Sequence, residues 1–335
     1  MNKKLKISFV VGLHNPDYGK KYNMDNLYRT QLFIDNLVYL CNKYNLFSEL
    51  IIVEWNPKNP GEFFQKIDWP RELGSIIIRW IEVPPDVHNK LPNSSKIPIF
   101  EFFAKNVGIR RAKGKYIIST NPDTLFSQPL IRYLSKTKLT KDNFYRIDRL
   151  DVSGCISRKM TIEERLNYCS AHIIKRHTLY GSIKPEKMIF PNPISLLLKK
   201  RKLAKQYWSG QGLVAYPDGL HRNASGDFFL MNKESWNRLH GYAQLNTYSH
   251  IDSIMCWQAA TLNLKQIILK EKYKLYHIDH DRKSRQSEPV TNWVKWYKKF
   301  ELYKKNKKAL IVNDKNWGLA GKKLKETVIN QYGLF

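Results

Sequence analysis

Acidic side chains are scarce. Against 57 Lys and Arg, the 335 residues carry only 29 Asp and Glu, so the net charge is +28 and the pI is about 9.8. Richness in Lys, Asn, Ile and Tyr can reflect AT-rich coding, but that bias does not remove acids. Part of the charge is therefore expected to meet an acidic partner: a nucleotide diphosphate, anionic lipid, an acidic glycan or nucleic acid. Paired cysteines are missing too. Cys41, Cys155, Cys169 and Cys256 are scattered, with no C-x-x-C and no Cys/His spacing. This argues against a zinc ribbon and a secreted disulfide framework and leaves reduced, mostly buried thiols. No apolar run reaches the roughly 18 residues that a spanning helix needs. No internal repeat and no low-complexity linker occur. The opening MNKKLKISFVVGLHNPDYG has no small-residue cleavage site, and His and Asp follow its apolar stretch early, so it reads as a first strand and not as a signal peptide. A cytoplasmic chain is expected, in which the sequons at Asn93 and Asn223 are chance matches. What is present is 42% apolar residues with 13% aromatics, enough at this length for a large core without staples.

Leu5 to Leu13 is a continuous apolar run, suited to a central parallel strand, and Asn15, Pro16, Asp17 and Gly19 break it. From Asp25 to Tyr44, Leu27, Ile34, Leu37, Val38 and Cys41 recur at helical spacing. ELIIVEW ends at Trp55, and SIIIRWIEV ends before Pro84 and Pro85. A helix reads from Ile99 to Ala112, closed by Lys113 and Gly114, and KYIIST runs into Asn121, Pro122 and Asp123. The order β, α, β, β, α, β predicts an α/β/α sandwich with a mostly parallel central sheet, whose ligands sit outside the carboxyl ends of the strands. Later segments are less regular. Asn143–Val152 reads as a strand, Thr161–Tyr180 as a helix, DFFLMN as a strand, Glu234–His240 and Ile251–Leu264 as helices, and KQIILKEKYKLYHIDH as one strand leading to a His pair. The expected division is a donor half over 1–142, an acceptor-binding and catalytic half over 143–290, and a basic, aromatic helical segment over 291–335.

Polar residues just past strand ends are the first candidates for chemistry. Asp123 is one: a carboxylate there can hold Mg²⁺ or Mn²⁺ while the metal's other sites take phosphate oxygens and water. Asn-Pro-Asp is also good turn chemistry in its own right. Asp227 can be a strand-start turn residue, and Asp252 a helix N-terminal acid favoured by the dipole. His277 and His280 lie on opposite faces if both are in a strand, so only one faces the site unless the strand has ended. Gly12 lies near the end of the first strand, His14 and Asn15 follow it, and Glu54 stands at the end of the second.

EFFAKNVGIRRAKGKYIISTNPDTLFS, taken whole, resembles the nucleotide-sugar glycosyltransferases of the GT-A fold. Ala104, Asn106, Gly108, Ala112 and Gly114 match the helix portion of the family pattern, and Asn121-Pro122-Asp123 stands where its acidic D-x-D-type motif belongs. SELIIVEWNP followed later by NPDTLFS is similar in layout to the exostosin-type members. The first Asp of the motif is Asn121 here, so the principal metal-ligand chemistry falls to Asp123, and Asn121 is left to hydrogen-bond a ribose or sugar hydroxyl. NASGDFFLMNKESWNRLHGY resembles the acceptor-side segment and carries Asp227. SHIDSIMCW places Asp252 where many such enzymes hold a carboxylate near the transferred sugar. LYHIDHD resembles the late His segment that contributes a metal or diphosphate ligand, and NWGLAGKKLKETVI is similar to a closing segment of sugar transferases. The resemblance implies transfer of a sugar from a nucleotide-diphosphate donor, UDP favoured, to a hydroxyl of a glycan or lipid-linked acceptor, with Mn²⁺ or Mg²⁺. It implies Asp123, His277 and His280 as metal ligands. Gly12, His14, Glu54, Asn106, Asn121 and Asp123 stand on the donor side, and Asp252, then Asp227, are the catalytic carboxylates. Inversion and retention both stay open.

Two other classes fit parts of the sequence. VKWYKKFELYKKNKK interleaves basic and aromatic residues as a nucleic-acid surface does, but no helix-turn-helix, zinc or RNP-like signature accompanies it, so no nucleic acid is expected. The other is a glycosyltransferase-like fold that binds without catalysing. Lys199–Lys205, after Leu196, Leu197 and Leu198, and the stretch from Trp293 to Lys308 mix cations with large apolar groups. They suggest peripheral contact with an anionic membrane surface.

Overall fold

The computed structural model describes residues 4–184, 218–247, 249–281, 289–330 and 333–334. The four early apolar runs form the parallel centre of a nine-stranded sheet: β1 (Ile7–Leu13), β2 (Ser48–Trp55), β3 (Ile76–Val83) and β4 (Tyr116–Thr120). β1 pairs in parallel with β2 on one side and β4 on the other, and β2 pairs with β3. Every residue of β1, β2 and β4 is buried, as strands covered on both faces require. Alternation sends Phe9, Leu50, Ile52 and Ile78 into one core layer and Val10, Ile51, Val53 and Ile81 into the other. Helix α1 (Asn26–Lys43) fills the first layer; it starts where the Asp25 side chain accepts from the Tyr28 backbone N–H. After the short helices α2 (Glu62–Lys66) and α3 (Pro85–Asn89), helix α4 (Glu101–Arg111) fills the second. It lies close on β1: a Cβ at Gly108 would stand 2.5 Å from Val10 Cγ1, and one at Gly12 would stand 2.9 Å from Ala104 Cβ.

The later chain is woven into the same sheet. β10 (Phe228–Asn232) runs antiparallel to β4, β6 (Asn143–Arg146) antiparallel to β10, and β11 (Lys265–Ile268) parallel to β6. On the far edge β13 (Lys325–Asn330) runs antiparallel to β3 and is followed by β14 (Gly333–Leu334). Residues 1–142 and 143–290 thus share one sheet. The segment 291–335 supplies an edge strand in addition to its expected helix, Trp293–Lys305.

A second sheet of five strands stands beside the first, in the order β5 (Thr124–Phe126), β12 (Leu275–Ile278), β7 (Arg149–Val152), β8 (Ile173–Thr178) and β9 (Gly181–Ile183). Two segments expected as single strands are divided between the sheets: Asn143–Val152 becomes β6 and β7, and Lys265–His280 becomes β11 and β12. At the first crossing the buried Arg146 donates to the carbonyls of His221, Asn223 and Ser225, a fixed corner that hydrophobic periodicity does not reveal. The helix expected over Thr161–Tyr180 stops early. A capping box of Thr161 and Glu164 opens α6 (Ile162–Ala171), and the chain then pairs with β7 as β8, long-range pairing having overridden local spacing. Helix α5 (Gln128–Lys136) follows β5 and sends Leu130, Ile131 and Leu134 into the first core layer. Lys199–Lys205 lies outside the described residues.

Candidate active site

A cavity of about 570 Å³ opens at the carboxyl ends of β1 and β4. Gly12 and His14 line it from β1, Asn121 and Asp123 from β4, Asp227 from the entry to β10, and Asp252 from the start of the helix Ile251–Thr261. His277 and His280 line it from β12 and the turn after it. These eight residues are scattered over the sequence, and the strand ends gather them.

Pairing of β12 with β5 places His277 opposite Thr124, and the Ile278 N–H donates to the Asp123 carbonyl at 2.9 Å. β12 ends at Ile278, and Asp279 turns away to Lys21 in an ion pair. Because the strand has ended, His280 comes round to the same side as His277. The Nε2 atoms of His277 and His280 stand 3.5 Å and 3.1 Å from Asp123 Oδ2, and one ligand atom from each of the three residues lies within 4.8 Å of the others. The loop over His280 needs glycine: Gly19 has φ +64°, and a Cβ there would meet His280 Nδ1 at 2.9 Å.

The donor chemistry suits a divalent cation. Asp123 Oδ1 is buried with no hydrogen-bond partner among the described residues. Each imidazole is held from behind. His277 Nδ1 faces Asp151 Oδ1 at 3.2 Å, and His280 Nδ1 contacts the Asp281 carbonyl at 3.0 Å, so both Nε2 atoms point to one place. A ring nitrogen held by a carboxylate or carbonyl is the usual support for a metal-binding histidine, and carboxylate with imidazole accommodates Mn²⁺. Burial acts to raise the Asp123 carboxyl, but His277 and His280 prevail and hold it well below its usual range. His277 is raised: burial works against its charge, and Asp123 overcomes that. His280 is lowered, because burial prevails there.

Behind Asp123, His277 and His280 lies a polar network. Arg149 on β7 donates to Asp227 Oδ2 at 2.8 Å and contacts Asp151 Oδ1 at 2.8 Å. Asp151 Oδ2 meets His177 Nε2 at 2.8 Å, and His177 Nδ1 meets Ser182 Oγ at 2.9 Å. Burial would raise Asp227, yet Arg149 and His277 hold it below its ordinary value. Both its oxygens are engaged, since the Asn121 amide donates to Oδ1 at 2.8 Å. Asn121 Oδ1 in turn accepts from Lys105, a fully buried ammonium that also reaches Glu101 and the Gly226 carbonyl. Asp252 is more open: Oδ2 accepts from the Gly226 N–H and Oδ1 from the Ser253 N–H, both at 2.9 Å.

Two residues expected on the donor side do not line the cavity. Asn106 is fully buried, and its side chain pairs with both the N–H and the carbonyl of Tyr242, each at 2.8 Å. It pins the Gly241-Tyr242 turn to α4, so two of the segments that carry the sequence resemblance pack on each other. Glu54 is 2% exposed and accepts from Trp80 Nε1 at 3.1 Å. Arg149, Asp151, His177 and Lys105 were missed by sequence reasoning. Lys105 left a signal, a lone cation inside the apolar helix FFAKNVG. Arg149 and Asp151 left a weaker one, two apart and so on one face of a strand.

No protein-family profile and no curated protein matches the chain. Among solved structures it is similar to GalNAc-T7 with UDP, GalNAc and Mn²⁺, at 11% identity and a TM-score of 0.45, over 93% of this chain and 53% of that one. It is also similar to residues 1–349 of TarS from S. aureus with UDP-GlcNAc, at 12% identity and a TM-score of 0.46, over 89% of this chain and 66% of that one. The chain spans about half the length of the first.

Proposed function

We propose that the protein transfers a sugar from a nucleotide-diphosphate donor to a hydroxyl acceptor. The observation that carries this reading is the convergence of Asp123, His277 and His280 in a cavity at the carboxyl ends of parallel strands, with two further carboxylates on its wall. Asp123, His277 and His280 would hold Mn²⁺ or Mg²⁺, and such an ion neutralises charge on a departing diphosphate. Gly12, near the end of β1, and His14, just past it, line the donor side; the missing side chain of Gly12 is what lets α4 lie close, since a Cβ there would meet Ala104. UDP, from the sequence resemblance, is the first nucleotide to test.

A general base must be reachable and must accept a proton near the working pH. Asp227 is buried, doubly hydrogen-bonded and held low by Arg149, so it serves better to orient than to accept a proton. Among the described residues Asp252 bonds only to backbone N–H groups at the cavity wall, which makes it the candidate base if the reaction inverts. If the reaction retains, the same carboxylate stands beside the anomeric centre and stabilises positive charge there. In this reading 1–142 supplies the donor wall and 143–290 the acceptor wall and two of the metal-holding residues. The helix Trp293–Lys305 buries Tyr297 and Phe300 and leaves Lys298, Leu302, Lys304 and Lys305 exposed. That face supports peripheral contact with anionic membranes, to be read as salt-sensitive pelleting with anionic vesicles.

A nucleotide-sugar panel with and without Mn²⁺ tests the proposal. A bound donor should raise the melting temperature, by mass action, and its nucleotide should be released slowly. Stabilisation without release would make the protein a binder. No response to any nucleotide sugar in Mn²⁺ would end the reading.

A further inference from the structure

β12 has two sides. His277 faces the cavity, and its neighbour Tyr276 faces the opposite way, into a second, open groove of about 720 Å³. α5, α6 and the approach to β12 wall this groove. Its chemistry differs from that of the first. Four cations line it, Arg132, Lys136, Lys272 and Lys274, and none of them forms an ion pair among the described residues. The one carboxylate among its lining residues is Glu163, already paired with Lys43 Nζ at 2.7 Å. The floor is aromatic. Tyr133 and Tyr273 pack with ring centroids 4.8 Å apart, and the Tyr276 hydroxyl is hydrogen-bonded to Ser170.

We propose that this groove binds an acidic saccharide, a chain of sugar rings bearing carboxylate or phosphate groups. Uncompensated Arg and Lys side chains supply charge-assisted hydrogen bonds to the anionic groups. Tyrosines offer an apolar face to a sugar ring and a hydroxyl to its edge. A purely phosphate-binding groove would need no such aromatic floor, and a neutral sugar would leave four cations unmatched. The groove is separated from the metal-holding residues by the thickness of one strand, so occupancy does not require the donor site, and the test needs no donor.

The probe is an oligogalacturonate, titrated calorimetrically into the full-length protein at about 20 mM and about 200 mM salt. Saturable binding is expected at low salt and should weaken at high salt. The double variant Arg132→Gln/Lys272→Gln should weaken it about tenfold or more, with unchanged melting temperature because both side chains are exposed. Tyr273→Ala should weaken the oligogalacturonate without changing any response to inorganic phosphate. Absence of binding at low salt, or undiminished binding in the double variant, overturns the proposal. So does displacement by inorganic phosphate at equal concentration, or by a single-stranded oligonucleotide that binds the same groove more tightly. UDP-sugar stabilisation, measured separately, is expected to be the same in the double variant. Its absence from the unmodified protein would end the transfer reading and leave the groove result standing.

Discussion

Replacing Glu54 by Gln separates a structural carboxyl from a donor contact. Burial lifts the Glu54 carboxyl from 4.5 to about 7, against the Trp80 hydrogen bond and with Glu82 adding to the rise. A shift of that size is worth about 3 kcal/mol. The folded protein then holds this proton more tightly than the unfolded chain does. Stability attributable to the group is therefore present at acidic pH and is lost as pH rises from about 4.5 to about 7. Gln keeps an oxygen to accept from Trp80 Nε1 and carries no charge. The variant should match the parent near pH 4 and exceed it by about 3 kcal/mol near pH 8. Urea denaturation at the two pH values measures this. An equal difference at both would refute the reasoning, because a lost hydrogen bond or altered packing has no such pH slope. UDP affinity should be unchanged, since Glu54 does not line the cavity. A weakened nucleotide in Glu54→Gln would return the residue to the donor role expected from the sequence.

Asp123→Ala should abolish Mn²⁺ binding by calorimetry and lower nucleotide release by about a hundredfold or more, while Mn²⁺ affinity of the parent should fall on acidification as the imidazoles take up protons. Asp252→Asn should reduce turnover far more than donor affinity, as loss of an interaction made only in the transition state does; abolished donor binding with normal turnover per bound donor would assign it to the donor side. Asn121→Asp sets a carboxylate against Asp227 Oδ1 where an amide now donates at 2.8 Å. Its expected effect is a stability loss of about 1–3 kcal/mol in denaturant melts and little gain in Mn²⁺ affinity, because Asn121 stands outside the Asp123, His277 and His280 cluster proposed to hold the ion. Lys105→Met removes the donor shared by Glu101, Asn121 and the Gly226 carbonyl, and should destabilise by about 3–5 kcal/mol in the same assay.

The sequence by itself determined the parallel centre of the sheet. Runs such as FVVGL and the triplet III at Ile76–Ile78 are apolar on both faces of a strand, and only a covered, central strand buries both. It also determined where to look, because polar residues that follow such runs must emerge at one edge; Asp123 and His14 do. Helix α4 was legible in both its spacing and its small residues, but the reason for Gly108 was not, since the demand comes from Val10 on another strand. Tertiary structure decided the rest. Asn143–Val152 and Lys265–His280 have uniform strand character, and nothing local says that each changes sheets midway. His277 and His280 could not be placed on one side by spacing alone, since that depended on β12 ending at Ile278. Arg149 reaches Asp227 across a gap of 78 residues, and Lys105 reaches Gly226 across 121. Periodicity records which face of an element is apolar. It holds no record of which distant polar group that face will meet, and a buried charge is settled only by its partner.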